Sequence, residues 1–144
     1  MFTVKKSFRV PLAHRLSCHL GRCKNIHGHE IKVEVEIKRE ELNKNGMVID
    51  FYDLKNIVNE ILDLWDHALL LNTADTWPIV NALQNDLDLD QRVVPFHEKD
   101  PTSENMCFVL FNLLYQRFID FDKELVLKSV SVWESSESQA KYEN

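Results

Sequence analysis

Residues 23–38 read Cys23-Lys24-Asn25-Ile26-His27-Gly28-His29-Glu30-Ile31-Lys32-Val33-Glu34-Val35-Glu36-Ile37-Lys38. Ile31, Val33, Val35 and Ile37 alternate with charged residues, which is the two-residue period of a strand buried on one face. If that strand has begun by His27, then His27 and His29 share the face of Ile31 and Val33, and Gly28 between them leaves the backbone free of a side chain. Upstream, Phe2, Val4, Phe8, Val10 and Leu12 fall on one parity, interrupted by Lys6. His14 continues that parity. The two segments are expected to pair antiparallel and to set His14 beside His27 and His29.

Downstream, Asn45-Gly46 marks a turn, and Asp50 is placed to cap a helix whose apolar positions are Phe51, Leu54, Ile57, Val58, Ile61, Leu62 and Trp65. This helix delivers Asp66-His67 at its C-terminal end. Residues 72–100 read as an irregular connection holding a short helix around Trp77–Leu83 and a short strand around Arg92–Phe96. A second helix follows Pro101, with Thr102 or Ser103 as cap and Met106, Val109, Leu110, Leu113, Leu114, Arg117 and Phe118 on one face. A last strand is expected from about Leu125 to Glu134, followed by a polar tail. The order predicts a single α+β domain over residues 1–144, an antiparallel sheet with two helices on one face. Its open edges invite strand addition from another subunit.

A chain of 144 residues buries enough surface to fold without a metal or disulfide, so a metal site here is expected to be functional rather than structural. Three cysteines without a CxxC spacing argue against a disulfide framework and for a reducing compartment. With neither a signal-like apolar run nor a membrane-length one, the chain reads as soluble and cytoplasmic. The net charge of -6 disfavours nucleic-acid binding. Yet Lys5, Lys6, Arg9, Arg15, Arg22 and Lys24 lie within residues 1–29, which hold no acid, whereas 11 basic residues face 23 acidic ones thereafter. That asymmetry suits a small anionic ligand such as a phosphate ester.

Three neutral imidazoles leave one tetrahedral position open on Zn²⁺, the arrangement of catalytic zinc sites, and histidine-only ligation disfavours calcium and magnesium. Cys23 stands between Arg22 and Lys24, whose charge favours a thiolate; Cys18 competes with it in the same basic loop, and Cys107 fits a small core side chain. His19 and His97 read as loop residues. Asp66 beside His67 can hold an imidazole tautomer, or simply end a helix. Glu104 has an ordinary explanation as a first-turn acid. Glu134 shares the parity of Val126, Val130 and Val132, where a carboxylate is costly unless something donates to it.

Taken together, FRVPLAHRL, CKNIHGH, GMVIDF, DH, PTSEN and WES with Ala140 and Tyr142 resemble the 6-pyruvoyltetrahydropterin synthase family, in the same order over nearly the whole chain. The cysteine just ahead of HGH is similar to the queuosine-pathway branch, the 6-carboxy-5,6,7,8-tetrahydropterin synthases. The resemblance implies a tunnelling fold whose subunits close into a barrel as trimers or hexamers. It implies zinc on His14, His27 and His29; Cys23 as the catalytic thiol with Asp66 and His67 as its partner pair, supplied by a neighbouring subunit; and Glu134 on the pterin ring with Thr102 and Glu104 lining the pocket. The implied substrate is 7,8-dihydroneopterin triphosphate, with no nucleic-acid or membrane partner. The chain departs from the family pattern after His67, where Asn72 comes one position late, and at Ser135, where threonine is usual. Competing readings are a pyruvoyl-forming or epimerising homologue, a zinc hydrolase using Glu104 or Glu134, and a binding module with structural zinc.

Overall fold

The computed structural model describes residues 1–143. Two thirteen-residue strands, β1 (Phe2–His14) and β2 (His27–Arg39), form an antiparallel hairpin in unbroken register from Phe2 opposite Arg39 to His14 opposite His27. The alternation seen in the sequence sorts them into two faces: Val10, Leu12, Ile31, Val33, Val35 and Ile37 are buried, while Lys5 and Glu34 pair on the other face at 3.0 Å.

The buried face is covered by α1 (Phe51–Leu62) and α3 (Ser103–Phe121). Asp50 caps α1 by accepting the Tyr52 N–H at 2.7 Å, and Thr102 caps α3 by accepting the Asn105 N–H at 3.2 Å. Gly46 adopts φ +75° in the turn before α1, the left-handed conformation that glycine tolerates best. α1 contributes Leu54, Val58, Ile61 and Leu62, and α3 contributes Met106, Cys107, Leu110, Phe111, Leu114 and Phe118. The inward stripe of α3 therefore runs through Cys107 and Phe111. Leu113 and Arg117, expected on that stripe, are exposed.

The sheet has six strands in the order β4-β3-β1-β2-β5-β6 and is mixed rather than antiparallel. β3 (Leu69–Asn72) runs parallel to β1, and β4 (Val93–Phe96) runs parallel to β3. β5 (Val126–Trp133) and β6 (Gln139–Glu143) are antiparallel additions beyond β2. A third helix, α2 (Pro78–Asn85), packs through Val80 on Leu69 and Leu71, the β3 residues that point away from the main core. The helices thus occupy both faces. Near the start of β5 a bulge shifts the pairing between Glu36 and Ile37, so Leu127 takes the core position expected for Val126, which is exposed. The tail expected to be merely polar supplies β6, with Ala140 and Tyr142 against the core.

Candidate active site

The open end of the hairpin gathers the imidazoles. His14 closes β1 and His27 opens β2 directly across from it, while His29 is opposite Leu12. The ring centroids of His14 and His27 are 4.6 Å apart, and that of His29 lies 5.1 and 5.0 Å from the other two. One nitrogen from each ring falls within 4.8 Å of the others. Gly28 sits close to the neighbouring strand, where a Cβ would meet the Leu12 carbonyl oxygen at 3.3 Å, a tight contact that glycine avoids.

The tautomers are dictated by backbone carbonyls. His14 donates from Nδ1 to the Pro101 carbonyl at 2.8 Å, and His27 donates from Nδ1 to the Asn25 carbonyl at 2.7 Å. Burial, the largest influence, holds the His14 pKa below its ordinary value, assisted by His27 and His29 and opposed by the Pro101 bond and Glu134. In the neutral form, a ring whose Nδ1 donates carries a lone pair and no proton on Nε2. The two Nε2 atoms stand 3.1 Å apart, in that form an acceptor facing an acceptor. Such a pair is relieved by a cation between them. Glu134 Oε1, 3.8 Å from His14 Nε2, adds negative charge at the same spot. The donor set therefore fits a first-row metal with nitrogen preference, zinc foremost.

The remaining candidate residues lie on several different elements. Cys23 lies half-buried in a 3₁₀ turn, Arg22–Lys24, within the β1–β2 connection, and its carbonyl accepts the Leu16 N–H at 3.0 Å. Glu134 stands just past β5, partly exposed. Thr102 uses its hydroxyl as the α3 cap, and Glu104 is exposed in the first turn. Asp66 and His67 form a pair at 2.6 Å on the turn after α1, with His67 at φ 54°. The His67 N–H is bonded to the Pro11 carbonyl, three residues before His14 and so about 10 Å away along the strand. Among the described residues, no hydrogen bond or ion pair joins Asp66 or His67 to the three histidines or to Cys23. His67 instead borders a shallow cleft with Leu12, Ile26, Leu69 and Gln91.

Of the basic residues in the first third, Lys5 pairs with Glu34, Arg9 with Glu30 at 3.1 Å, and Arg15 with Asp75 at 2.6 Å. Arg15 also donates to the Lys24 carbonyl and stacks 4.4 Å from the Trp77 ring. It is a strut between loops. Asn72, the late asparagine, is buried and ties the β3 end to Asp100 at 3.1 Å. Sequence reasoning did not single out Asp100 or the carbonyls of Pro101 and Asn25. Backbone carbonyls carry no residue-type signal; the only hint at Asp100 is its place before Pro101 at a helix start.

Residues 3–144 match the family model for 6-pyruvoyl tetrahydropterin synthase. The chain belongs to that family. A 6-carboxy-5,6,7,8-tetrahydropterin synthase from Haemophilus influenzae is 37% identical over 149 residues, covering 99% of both chains. Another protein of that name, from Aquifex aeolicus, is 27% identical with 96% of each chain covered. Among solved structures, an uncharacterized protein from Wolinella succinogenes superposes with a TM-score of 0.83 at 23% identity, covering 99% of this chain and 98% of its own. The Caenorhabditis elegans 6-pyruvoyl tetrahydropterin synthase gives 0.70 at 22% identity, covering 99% and 95%. The tunnelling fold expected from the resemblance is thus the fold of this family member.

Proposed function

We propose that this protein is a zinc-dependent 6-carboxy-5,6,7,8-tetrahydropterin synthase of queuosine biosynthesis. It takes 7,8-dihydroneopterin triphosphate and one water to 6-carboxytetrahydropterin, acetaldehyde and triphosphate. The observation that carries the reading is the His14 and His27 Nε2 atoms standing 3.1 Å apart on rings whose Nδ1 atoms bond backbone carbonyls, with His29 completing the cluster. The full-length relatives bearing that name support the choice of reaction within the family.

When bound, zinc supplies a Lewis acid beside the side-chain hydroxyls of the substrate. The chain's own residues do the rest. Glu134 accepts two N–H bonds from the amino-pyrimidine edge of the pterin and so fixes its orientation before chemistry. Cys23 takes and returns protons at the substrate side chain, with the Asp66–His67 pair of a neighbouring subunit as the second proton carrier. Thr102 and Glu104 line the pterin pocket, Thr102 through its place at the α3 start. Arg22 and Lys24 have no ion-pair partner among the described residues and flank Cys23, which favours them over Lys5, Arg9 and Arg15 for the triphosphate.

The test is incubation of zinc-replete protein with 7,8-dihydroneopterin triphosphate and identification of products by mass. The expected outcome is 6-carboxytetrahydropterin with acetaldehyde; a pyruvoyl product without acetaldehyde would reassign the chain within the family. Cys23→Ala is expected to lower kcat by about 10²–10⁴ while keeping zinc and fold, the usual loss when a proton-transfer group is removed. Full activity in Cys23→Ala would favour metal-assisted hydrolysis instead.

A further inference from the structure

Asp100 has a position that the proposed chemistry leaves unexplained. It lies between β4 and α3, next to Pro101, and its carboxylate reaches across to the start of the β1–β2 connection. Oδ1 accepts the Ser17 hydroxyl at 2.6 Å and the Asn72 amide at 3.1 Å, and Oδ2 accepts the Cys18 N–H at 3.0 Å. Burial alone would raise its pKa; the Ser17, Cys18 and Asn72 donors outweigh that and hold it below the ordinary carboxylate value. The Asp100 carbonyl accepts the Asn105 side-chain amide at 2.8 Å, and Asn72 is the buried last residue of β3. The segment is therefore pinned to a helix and to a strand.

The next carbonyl in the chain, that of Pro101, receives the His14 Nδ1–H. Two adjacent residues thus grip both a metal-type imidazole and the loop that carries Cys23. That loop has an imidazole at each of its ends, His14 and His27. Its return leg is held as well, since Arg15 donates to the Lys24 carbonyl while anchored on Asp75.

We infer that Asp100 is a positioning residue that couples the histidine cluster to the Cys23 loop, by clasping Ser17 and Cys18 while its neighbour Pro101 orients His14. The role rests on reading the three histidines as a metal centre. Replacing the carboxylate by an amide is a sharp probe, because all three of its partners donate here. Whichever way the amide of Asp100→Asn is turned, its NH₂ faces either the Cys18 N–H or the Asn72 NH₂, neither of which can accept.

The experiment is amide hydrogen exchange of metal-free protein with and without one equivalent of Zn²⁺, with zinc affinity measured in parallel. In the parent protein zinc is expected to slow exchange of the Leu16 and Cys18 amides by about tenfold, as ligand binding suppresses local opening. In Asp100→Asn that zinc effect is expected to fall below about twofold, while one zinc still binds and β5 amides exchange as in the parent. Ser17→Ala, which removes one donor only, is expected to be intermediate and guards against a fold defect in the first variant. Retention of the full zinc effect in both variants overturns the coupling role. A parent protein that binds no zinc overturns the metal-centre reading itself, and the inference with it, and is distinguished by the affinity measurement.

Discussion

At the scale of single residues, the centre is defined by what imidazoles can and cannot donate. Strand parity alone brought His14, His27 and His29 to one face, and the structure gathers their nitrogens within 4.8 Å. What parity could not give is the tautomer, because that is decided by the Pro101 and Asn25 carbonyls, one of them 87 residues away from its histidine. Asp100 was equally hidden, since its partners Ser17, Cys18 and Asn72 come together only in the fold. Its depressed pKa carries a signed expectation. The unfolded chain takes up the proton first on acidification, so the stability contributed by ionised Asp100 is present above the ordinary value of about 4 and is lost as pH falls through the folded value. Urea denaturation midpoints of the parent and Asp100→Asn should therefore differ most at neutral pH and converge at acid pH; a difference that stays constant across the range would contradict this.

At the scale of elements, the long periodic pieces were legible, and so were the short α2 and β4, whereas β3 and β6 were not. β1, β2, α1 and the cap of α3 follow from alternation, three-and-four spacing and N-cap chemistry. β3 was missed because Leu69-Leu70-Leu71 faces apolar neighbours on both sides, so it has no alternation to betray it. β6 was missed for the opposite reason: only Ala140 and Tyr142 turn inward from an otherwise polar edge strand. The packing of β6 on α3 has a chemical consequence. The Cys107 thiol bonds the Ala140 carbonyl at 3.3 Å, and burial, the largest influence, pushes its pKa up to about 11. Alkylation of the native protein followed by mass analysis should modify Cys18 and Cys23 and spare Cys107 until the protein is unfolded. Rapid native labelling at Cys107 would mean that β6 does not hold its place.

At the scale of the whole molecule, no hydrogen bond or ion pair among the described residues links the Asp66–His67 pair to the histidine cluster or to Cys23 within one protomer. The Asp66–His67 pair is anchored beside Pro11, away from the His14–His27 end of the hairpin, and it faces outward. A second copy is the simplest supplier of that pair, consistent with the trimer or hexamer that the family resemblance implies. The sheet ends differ in how they meet solvent: β4 carries Pro95, which has no N–H to offer, and β6 carries Gln139, Lys141 and Glu143 outward. Subunit sharing has a direct readout. Cys23→Ala and His67→Ala proteins, each inactive alone, should regain about a quarter of parental activity when unfolded together in equal amounts and reassembled, because random mixing leaves one site in four with both groups intact. Absence of any recovery would place both residues in one chain's site.

Underlying all of this is an open three-histidine centre, and X-ray absorption at the zinc edge of the metal-loaded protein examines it most directly. The account predicts one zinc per chain with three imidazole nitrogens at about 2.0–2.1 Å, a further light-atom ligand and no sulfur. A sulfur at about 2.3 Å would mean that a cysteine closes the site and that the thiol assigned to proton transfer is a structural ligand, which would contradict it.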